Sequence, residues 1–552
     1  MNTQDDFSRY YHELLEGQYD CVDRIVLNGY FPLGQQGGGF RHWWRKLTGS
    51  DETLTQEHLQ RMAGRFSRRV HGFAKKHHIP LIHCGAGERK HLMAQQHLPT
   101  DPNFKGLFLI LVGKAPGLVW EVKICKSGAP HLRRKTPWPY VNHYHFHLID
   151  PEWGHVTIKM SGHPPFGIQV MLNGHEWVER EARKQTVSFE KESNCFVGGS
   201  DYQSLAQIAD ALCDQHTIGR LSEVCDRWVY TCCLCFALSQ EELEMSEFRY
   251  QYSCYQIEYS RNLLFARGRV LDEVYQGLID RTRSSLDIDR LKTIFGWKQR
   301  PAYKGRNGNS RPRFQAVVDE PAFNLTVFKV HFGRLTLKIY DKGDRVLRIE
   351  AIAHNVTDLR CGKRLEKLSI MLEKLQKMTI DFLNVVKAAH VSCLDENVLD
   401  ELHQPTQRGT KRLAGVDLQN PRMRSVCEAV LNLSAKPGGF TCLDLADKVR
   451  ASNWQHAQTY NRRKASYDLN KLRGKEIIER IPHTRRYSCK TTGIETLTAL
   501  IILREKIIKP VIAGTVRKKA GRPPKNIHPI DQHYENLRNE MRCTLKTLGI
   551  AA

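Results

Sequence analysis

The feature that most restricts how this chain can fold lies near its C-terminal end. There, three stretches of helical periodicity lead into a tight hairpin signal and then one more apolar stretch. Met423, Val426, Cys427 and Val430 recur at the spacing of one helix face. Phe440-Thr441 opens a second helix, LDLADKVRA, and a third, predicted over about 457–474, turns Ala465, Leu469 and Leu472 inward. At 100° per residue, Tyr460, Arg463, Tyr467 and Asn470 fall on the opposite face with Ser466 beside them. Gly474 is expected to end this helix in the left-handed position that follows a helix. IIERIPHTRRYSCK then reads as two short strands around Pro482-His483-Thr484, with Arg485 and Arg486 near the tip. A helix face of Arg, Asn, Ser and Tyr is equipped to meet base edges in a major groove.

The charge points the same way. Lys and Arg number 83 against 59 acids, a formal net charge of +24. Residues 401–552 carry 29 of those bases and 13 of the acids, a net of +16, so two-thirds of the excess sits in about a quarter of the chain. Concentrated positive charge is rewarded on a polyanion because phosphate contacts release condensed counterions. A basic surface that only aids solubility is the alternative. With 41% apolar and 9% aromatic residues the chain can fill packed cores, which excludes wholesale disorder, and its 552 residues predict three or four domains. The apolar stretches 107–121 and 497–503 are interrupted well short of a membrane span, and the acidic start MNTQDDFSRYYHELLEG lacks the pattern of a signal peptide. A cytoplasmic, nucleoid-associated protein is therefore expected. Sixteen cysteines in so long a chain read as reduced thiols, Cys232-Cys233-x-Cys235 as buried helix positions rather than a zinc site.

The arrangement of residues 415–508 resembles a winged helix-turn-helix domain. That resemblance implies a third helix in the major groove and a basic wing on the flanking backbone, with Tyr460, Arg463, Ser466, Tyr467, Asn470, Arg485 and Arg486 as DNA contacts. Beyond it, Arg517-Lys518-Lys519-Ala520-Gly521-Arg522-Pro523-Pro524-Lys525 resembles an AT-hook, with Arg522 for a narrow minor groove, although Ala520 and Pro524 depart from the basic pattern.

The fold class expected is α+β multidomain. Residues 1–195 read as a mixed α/β domain with a basic helix over about 56–77, a βαβ-like unit over 79–113, a strand hairpin around Pro151–Gly154 and a closing helix at about 167–184. Residues 196–296 read as a helical region, and 297–316 as a basic loop or linker rich in Gly, Pro and Asn. Residues 317–400 read as a small antiparallel sheet plus helices, 415–508 as the winged helix-turn-helix, and 509–552 as a basic tail.

The middle strands carry a second set of candidates. Lys338, Tyr340 and Lys342 share one strand face, and Arg348 and Glu350 share one face of the next, so they can pair across the hairpin. This strand pair resembles one found in phage and plasmid rolling-circle replication initiators. The resemblance implies Tyr340 as nicking nucleophile with Glu350 nearby, and a divalent metal (Mg or Mn) on a His-hydrophobe-His strand, here His143 and His145 within His143-Tyr144-His145-Phe146-His147. Phosphate contact by Lys338, Lys342 and Arg348, or by the histidines, is the alternative. Seven of the 25 histidines fall between 131 and 175.

Further candidates are Gly85-Ala86-Gly87-Glu88-Arg89-Lys90, a strand-to-helix turn where Lys90 and backbone N–H groups suit an anion, and a carboxylate cluster of Asp23, Glu121 and Asp150. Asn173-Gly174-His175-Glu176 lacks a second histidine four residues on and so is no zinc-protease pair. Phe40, Trp43 and Trp44 among Arg41, Arg45 and Lys46 either stack bases or pin a loop. The whole chain also resembles a widespread group of bacterial proteins of unassigned function through its VNH-aromatic strand, NGHEW segment and K-x-Y-x-K strand. The function expected is a DNA-binding protein of a mobile element or replicon, an initiator or recombination factor. A metal-dependent nicking enzyme or nuclease and a transcriptional regulator are the alternatives. The expected partner is double-stranded DNA, with RNA or single-stranded DNA besides.

Overall fold

The computed structural model describes residues 5–124, 130–199, 201–212, 215–271, 274, 328–332, 334–342, 344–390, 396–452 and 454–504, with scattered positions between 533 and 547. The fold is mixed α and β, with a large sheet and several two-stranded ones. Its contacts divide the chain into two compact units, one of Met1–Glu16, Leu263–Ala351 and Lys374–Ala552, the other of Gly17–Asn262 and Ile352–Glu373. The first begins with α1 (Asp6–Tyr10), capped where Asp5 Oδ1 accepts from Ser8 N at 2.7 Å.

The second unit is built on the long strand β1 (Leu15–Tyr30). Next come α2 (Gly37–Thr48), α3 (Gln56–Lys76), β2 (Leu81–His83), α4 (Lys90–Gln96), β3 (Gly106–Pro116), β4 (Trp120–Ile124) and β5 (Pro130–Arg134). They are followed by β6 (Tyr140–Asp150), β7 (Gly154–Ser161), β8 (Ile168–Asn173), α5 (Gly174–Lys184), β9 (Glu190–Lys191) and β10 (Phe196–Gly198). Last are α6 (Tyr202–Ala211), α7 (Gln215–Cys232), α8 (Gln240–Ser246) and β11 (Gln251–Phe265). Seven of these strands line up in the order β11–β1–β8–β7–β6–β3–β2. β2 and β3 run parallel around α4, as the βαβ reading requires, while β3, β6, β7, β8 and β1 pair antiparallel.

The register fixes the character of the two sheet faces. Asn28, Gln169, Lys159, His145 and Leu111 stand opposite one another across five strands. Their chain neighbours Tyr144, Phe146, Ile158, Met160 and Val170 point the other way and are buried. There the Phe66 ring of α3 stands 5.0 Å from Tyr144. A sheet packed on one face and polar on the other is what period-two alternation dictates. Gly174 sits where α5 starts against β1; a Cβ there would lie 1.8 Å from the Val22 carbonyl oxygen, so only glycine fits.

Two expectations are corrected here. Residues 251–265, read as helical, form β11: Tyr252, Cys254, Tyr255, Ile257 and Tyr259 are aromatic, apolar or β-branched and suit a pleated surface better than a helix. The helix expected over 167–184 begins only at Gly174, and the alternating IQVMLN before it is β8.

The first unit continues with β12 (Phe328–Phe332), β13 (Leu335–Lys342) and β14 (Val346–Ala353), in that order. After α9 (Leu368–His390), α10 (Glu396–His403) and the hairpin β15 (Thr406–Arg408) with β16 (Lys411–Leu413) come α11 (Pro421–Ser434), α12 (Cys442–Arg450) and α13 (Arg462–Gly474). The hairpin β17 (Ile478–Arg480) and β18 (Tyr487–Cys489) and α14 (Thr491–Ile502) complete the described part. One apolar cluster joins them: Val426, Val430, Leu445, Val449, Leu469, Leu472, Ile478 and Leu497 are buried together. Phe440, just before α12, bridges to Tyr487, which lays the hairpin against the helices.

Candidate functional site

On the face of α13 turned away from that core, Arg463 and Tyr467 are exposed and Ser466 and Asn470 half-buried, as the periodicity requires. The helix starts with a cap in which the Asn461 side chain accepts from the backbone N–H groups of Arg463 and Lys464, both at 3.1 Å. Lys471 lies 5.1 Å from the centre of the Tyr467 ring, so a cation and an aromatic edge are presented together. Arg462, exposed at the first helical position, belongs to the same basic surface and was not singled out from the sequence.

Three features of this region differ from expectation. Tyr460 is no part of the outward face: α13 begins only at Arg462, and Tyr460 is 1% exposed, its hydroxyl donating to Asp468 Oδ2 at 2.9 Å. Asp468 is itself fully buried and pairs with Arg422 Nη2 at 3.1 Å, tying α11 to α13; burial pushes its carboxyl above the usual range. Gly474 is still helical, and the left-handed position falls on Glu476, φ 55°. Arg486 is not free at the hairpin tip. Its guanidinium donates to the Gly438 and Gly439 carbonyls and pins the loop ahead of α12. Arg485 stays exposed. Arg522 and the segment 517–525 lie outside the described residues, as does the basic stretch 297–316.

On the middle strands, Lys338 Nζ donates to Glu350 Oε2 at 2.7 Å, an ion pair across the hairpin. Arg348 is fully buried and Glu350 6% exposed; neither offers a surface to phosphate, which corrects that reading of Arg348. Tyr340 and Lys342 are half-buried. Tyr340 belongs to the first unit and His143 and His145 to the second.

The histidines of β6 do share a face. Among the described residues the group of ligand atoms that converges within 4.8 Å is Cys21, Asp23 and His175. His143 is buried, and His147 Nδ1 lies 3.1 Å from both His155 Nε2 and Thr157 Oγ1. Burial pushes His143 below its ordinary value and His145 and His147 down to about 3; Lys159 and Lys90 add to the effect at His145.

The convergent trio was not foreseen, because Cys21 and Asp23 lie on β1 and His175 on α5, some 150 residues on, with nothing in the spacing to connect them. Asp23 Oδ1 stands 3.1 Å from His175 Nδ1 and accepts from Ser260 Oγ at 2.9 Å, and Tyr19 Oη stands 3.4 Å from His175 Nε2. The sulfur, oxygen and nitrogen donors could hold a borderline ion such as zinc. Both imidazole nitrogens already face an oxygen, and all three side chains are buried.

The other candidates are not assembled. Asp150 accepts from Arg227 and Trp228, at 2.9 and 2.7 Å, and Asp23 belongs to the trio. Glu121 lies half-buried on β4, and no cluster of the three forms among the described residues. The Gly85–Lys90 turn is occupied by its own acid, Glu88 Oε2 accepting from Gly85 N at 2.8 Å. Phe40, Trp43 and Trp44 are buried in an aromatic core and cannot stack on bases. Burial raises the thiols of Cys232, Cys233 and Cys235, the last to about 11. Among the described residues no helix is long and apolar enough to cross a membrane. Comparison of the chain with protein-family models, curated proteins and solved structures returned no match.

Proposed function

We propose that residues 415–508 are a winged helix-turn-helix that docks this chain on duplex DNA, α13 entering the major groove and the β17–β18 hairpin lying along the backbone. The chain would serve a mobile element or replicon as an initiator or recombination factor. The observation that carries the reading is the outward face of α13, where Arg463, Tyr467 and Asn470 stand clear of a core that holds the rest of the helix rigid. The bridge between Phe440 and Tyr487 and the exposed Arg485 on the hairpin support it, as does the net +16 of residues 401–552. Arginine and asparagine are the side chains that make paired hydrogen bonds to guanine and adenine, and a rigid helix is what places them at fixed base steps.

The test starts with selection of a preferred duplex from a random pool by the full-length chain. Arg463→Ala and Asn470→Ala are expected to cost about 1–3 kcal/mol on the selected site while leaving non-specific duplex binding near its original strength. Arg485→Ala is expected to weaken all duplexes alike. If the two kinds of variant behave identically, α13 is not the reading helix.

A further inference from the structure

The second unit holds an open cleft of about 1130 Å³ floored by the polar sheet face. Asn28, His143, Lys159, Ser161 and Gln169 form the floor, where Gln169 Nε2 donates to Asn28 Oδ1 at 3.0 Å. Arg134, Trp138, Lys363 and Arg364 also line it. Arg134 is held in place by the Gln35 carbonyl and by the Trp120 ring, 5.7 Å away. Four cations therefore face two carboxylates in the lining, Asp226 and Glu366, and Asp226 is engaged by the Tyr252 hydroxyl at 2.6 Å.

We propose that this cleft binds a single-stranded polynucleotide, its phosphates held by Lys159 and by Lys363 and Arg364, and one base stacked on Trp138. Lys159 is half-buried in the cleft floor, and among the described residues it has no ion-pair partner; burial first and the nearby Lys90 second disfavour its charge, and an anion in the cleft offsets both. His143, His145 and the Ser161 hydroxyl add neutral polar groups beside the same lysine. Trp138 is 52% exposed, a large apolar ring left in water at the mouth of a basic cleft. Such a ring takes the face of an unpaired base, which a duplex hides in its own stack. Asn28 and Gln169 offer donors and acceptors that suit the exposed edges of unpaired bases. The cleft exceeds the upper end, about 1000 Å³, of ordinary small-molecule sites, which leaves room for more than one nucleotide.

The experiment uses the full-length chain carrying Arg463→Ala and Arg485→Ala, so that the docking helix proposed above is weakened. Fluorescence anisotropy with labelled oligo-dT and oligo-rU of about 15 nucleotides then reads oligomer binding with that contribution reduced. Adding Trp138→Ala or Lys363→Glu, both at exposed positions, should weaken oligomer binding about tenfold without changing the melting temperature. Lys363→Glu should also flatten the salt dependence. A loss on both oligomers, or on one only, supports the cleft, and the second outcome identifies the preferred sugar. Unchanged binding by both variants overturns the proposal. So does oligomer binding that vanishes already in the Arg463→Ala, Arg485→Ala parent, because that places single-strand binding at the C-terminal helices. Either result leaves the duplex reading to be judged by its own test.

Discussion

Tyr460 and Asp468 are eight positions apart in the chain and meet in the core beneath α13, where Arg422 completes the set. A carboxylate that is fully buried depends on every donor it has. Tyr460→Phe removes one donor and no volume of consequence, so it is expected to lower stability by about 1–3 kcal/mol, read as a shift of the urea midpoint without a change in slope. DNA affinity per folded molecule should stay as it was, since the ring faces inward. A similar logic holds at Asp51, which accepts from Arg45 and Arg41 and whose carboxyl is held down at about 2, chiefly by the Arg45 hydrogen bond. With the folded value below the unfolded one, its contribution is present above about pH 4 and fades as the pH falls towards 2. Asp51→Asn should cost about 1 kcal/mol at pH 7, because Arg45 is half exposed, and almost nothing at pH 2.

At the scale of elements, β6 places three imidazoles on one sheet face and keeps them neutral. The folded values of His145 and His147 lie at about 3, below the ordinary 6.5, so the unfolded chain takes up protons that the folded one refuses. Stability conferred by β6 is therefore full above about pH 6.5 and is lost as the pH falls from there towards 3. His147→Leu should flatten that decline, measured as urea midpoints across the interval; an unchanged pH profile would mean that His147 takes up its proton equally in the folded and unfolded chain. The turn into α12 depends on a different restraint. Gly439 has φ 72°, and a Cβ there would come within 2.5 Å of the Tyr487 carbonyl oxygen. Gly439→Ala should thus detach the hairpin from α12 at a cost of about 1–3 kcal/mol. Duplex binding should weaken with it, since Arg485 would lose its fixed position relative to α13.

At the scale of the whole molecule, charge is the dominant variable. Net charge is +24, and residues 401–552 supply +16 of it. Duplex affinity should fall linearly on a log–log plot against salt, by about 0.9 for every phosphate neutralised, and titrations at several ionic strengths measure that count. A slope near zero would remove the electrostatic case for nucleic acid altogether. Much of this was legible beforehand. The exposure of Arg463 and Tyr467, the burial of Leu469 and Leu472, the hairpin around His483 and the parallel pairing of β2 and β3 all follow from periods of 3.6 and 2, which depend on near neighbours in the chain. Residues 251–265 were misread as helical because Leu263, Leu264 and Phe265 suit either element, and only pairing within the sheet selects the strand. What the sequence alone decided, then, was which faces are apolar and where the positive charge accumulates, since both are sums over adjacent residues. Tertiary structure alone decided that Tyr460 turns inward, that Arg486 is spent on a loop, that Cys21, Asp23 and His175 converge, and that a basic cleft opens over the sheet. Each of these depends on cross-strand register or on contacts between residues far apart in the chain, and no local pattern encodes those.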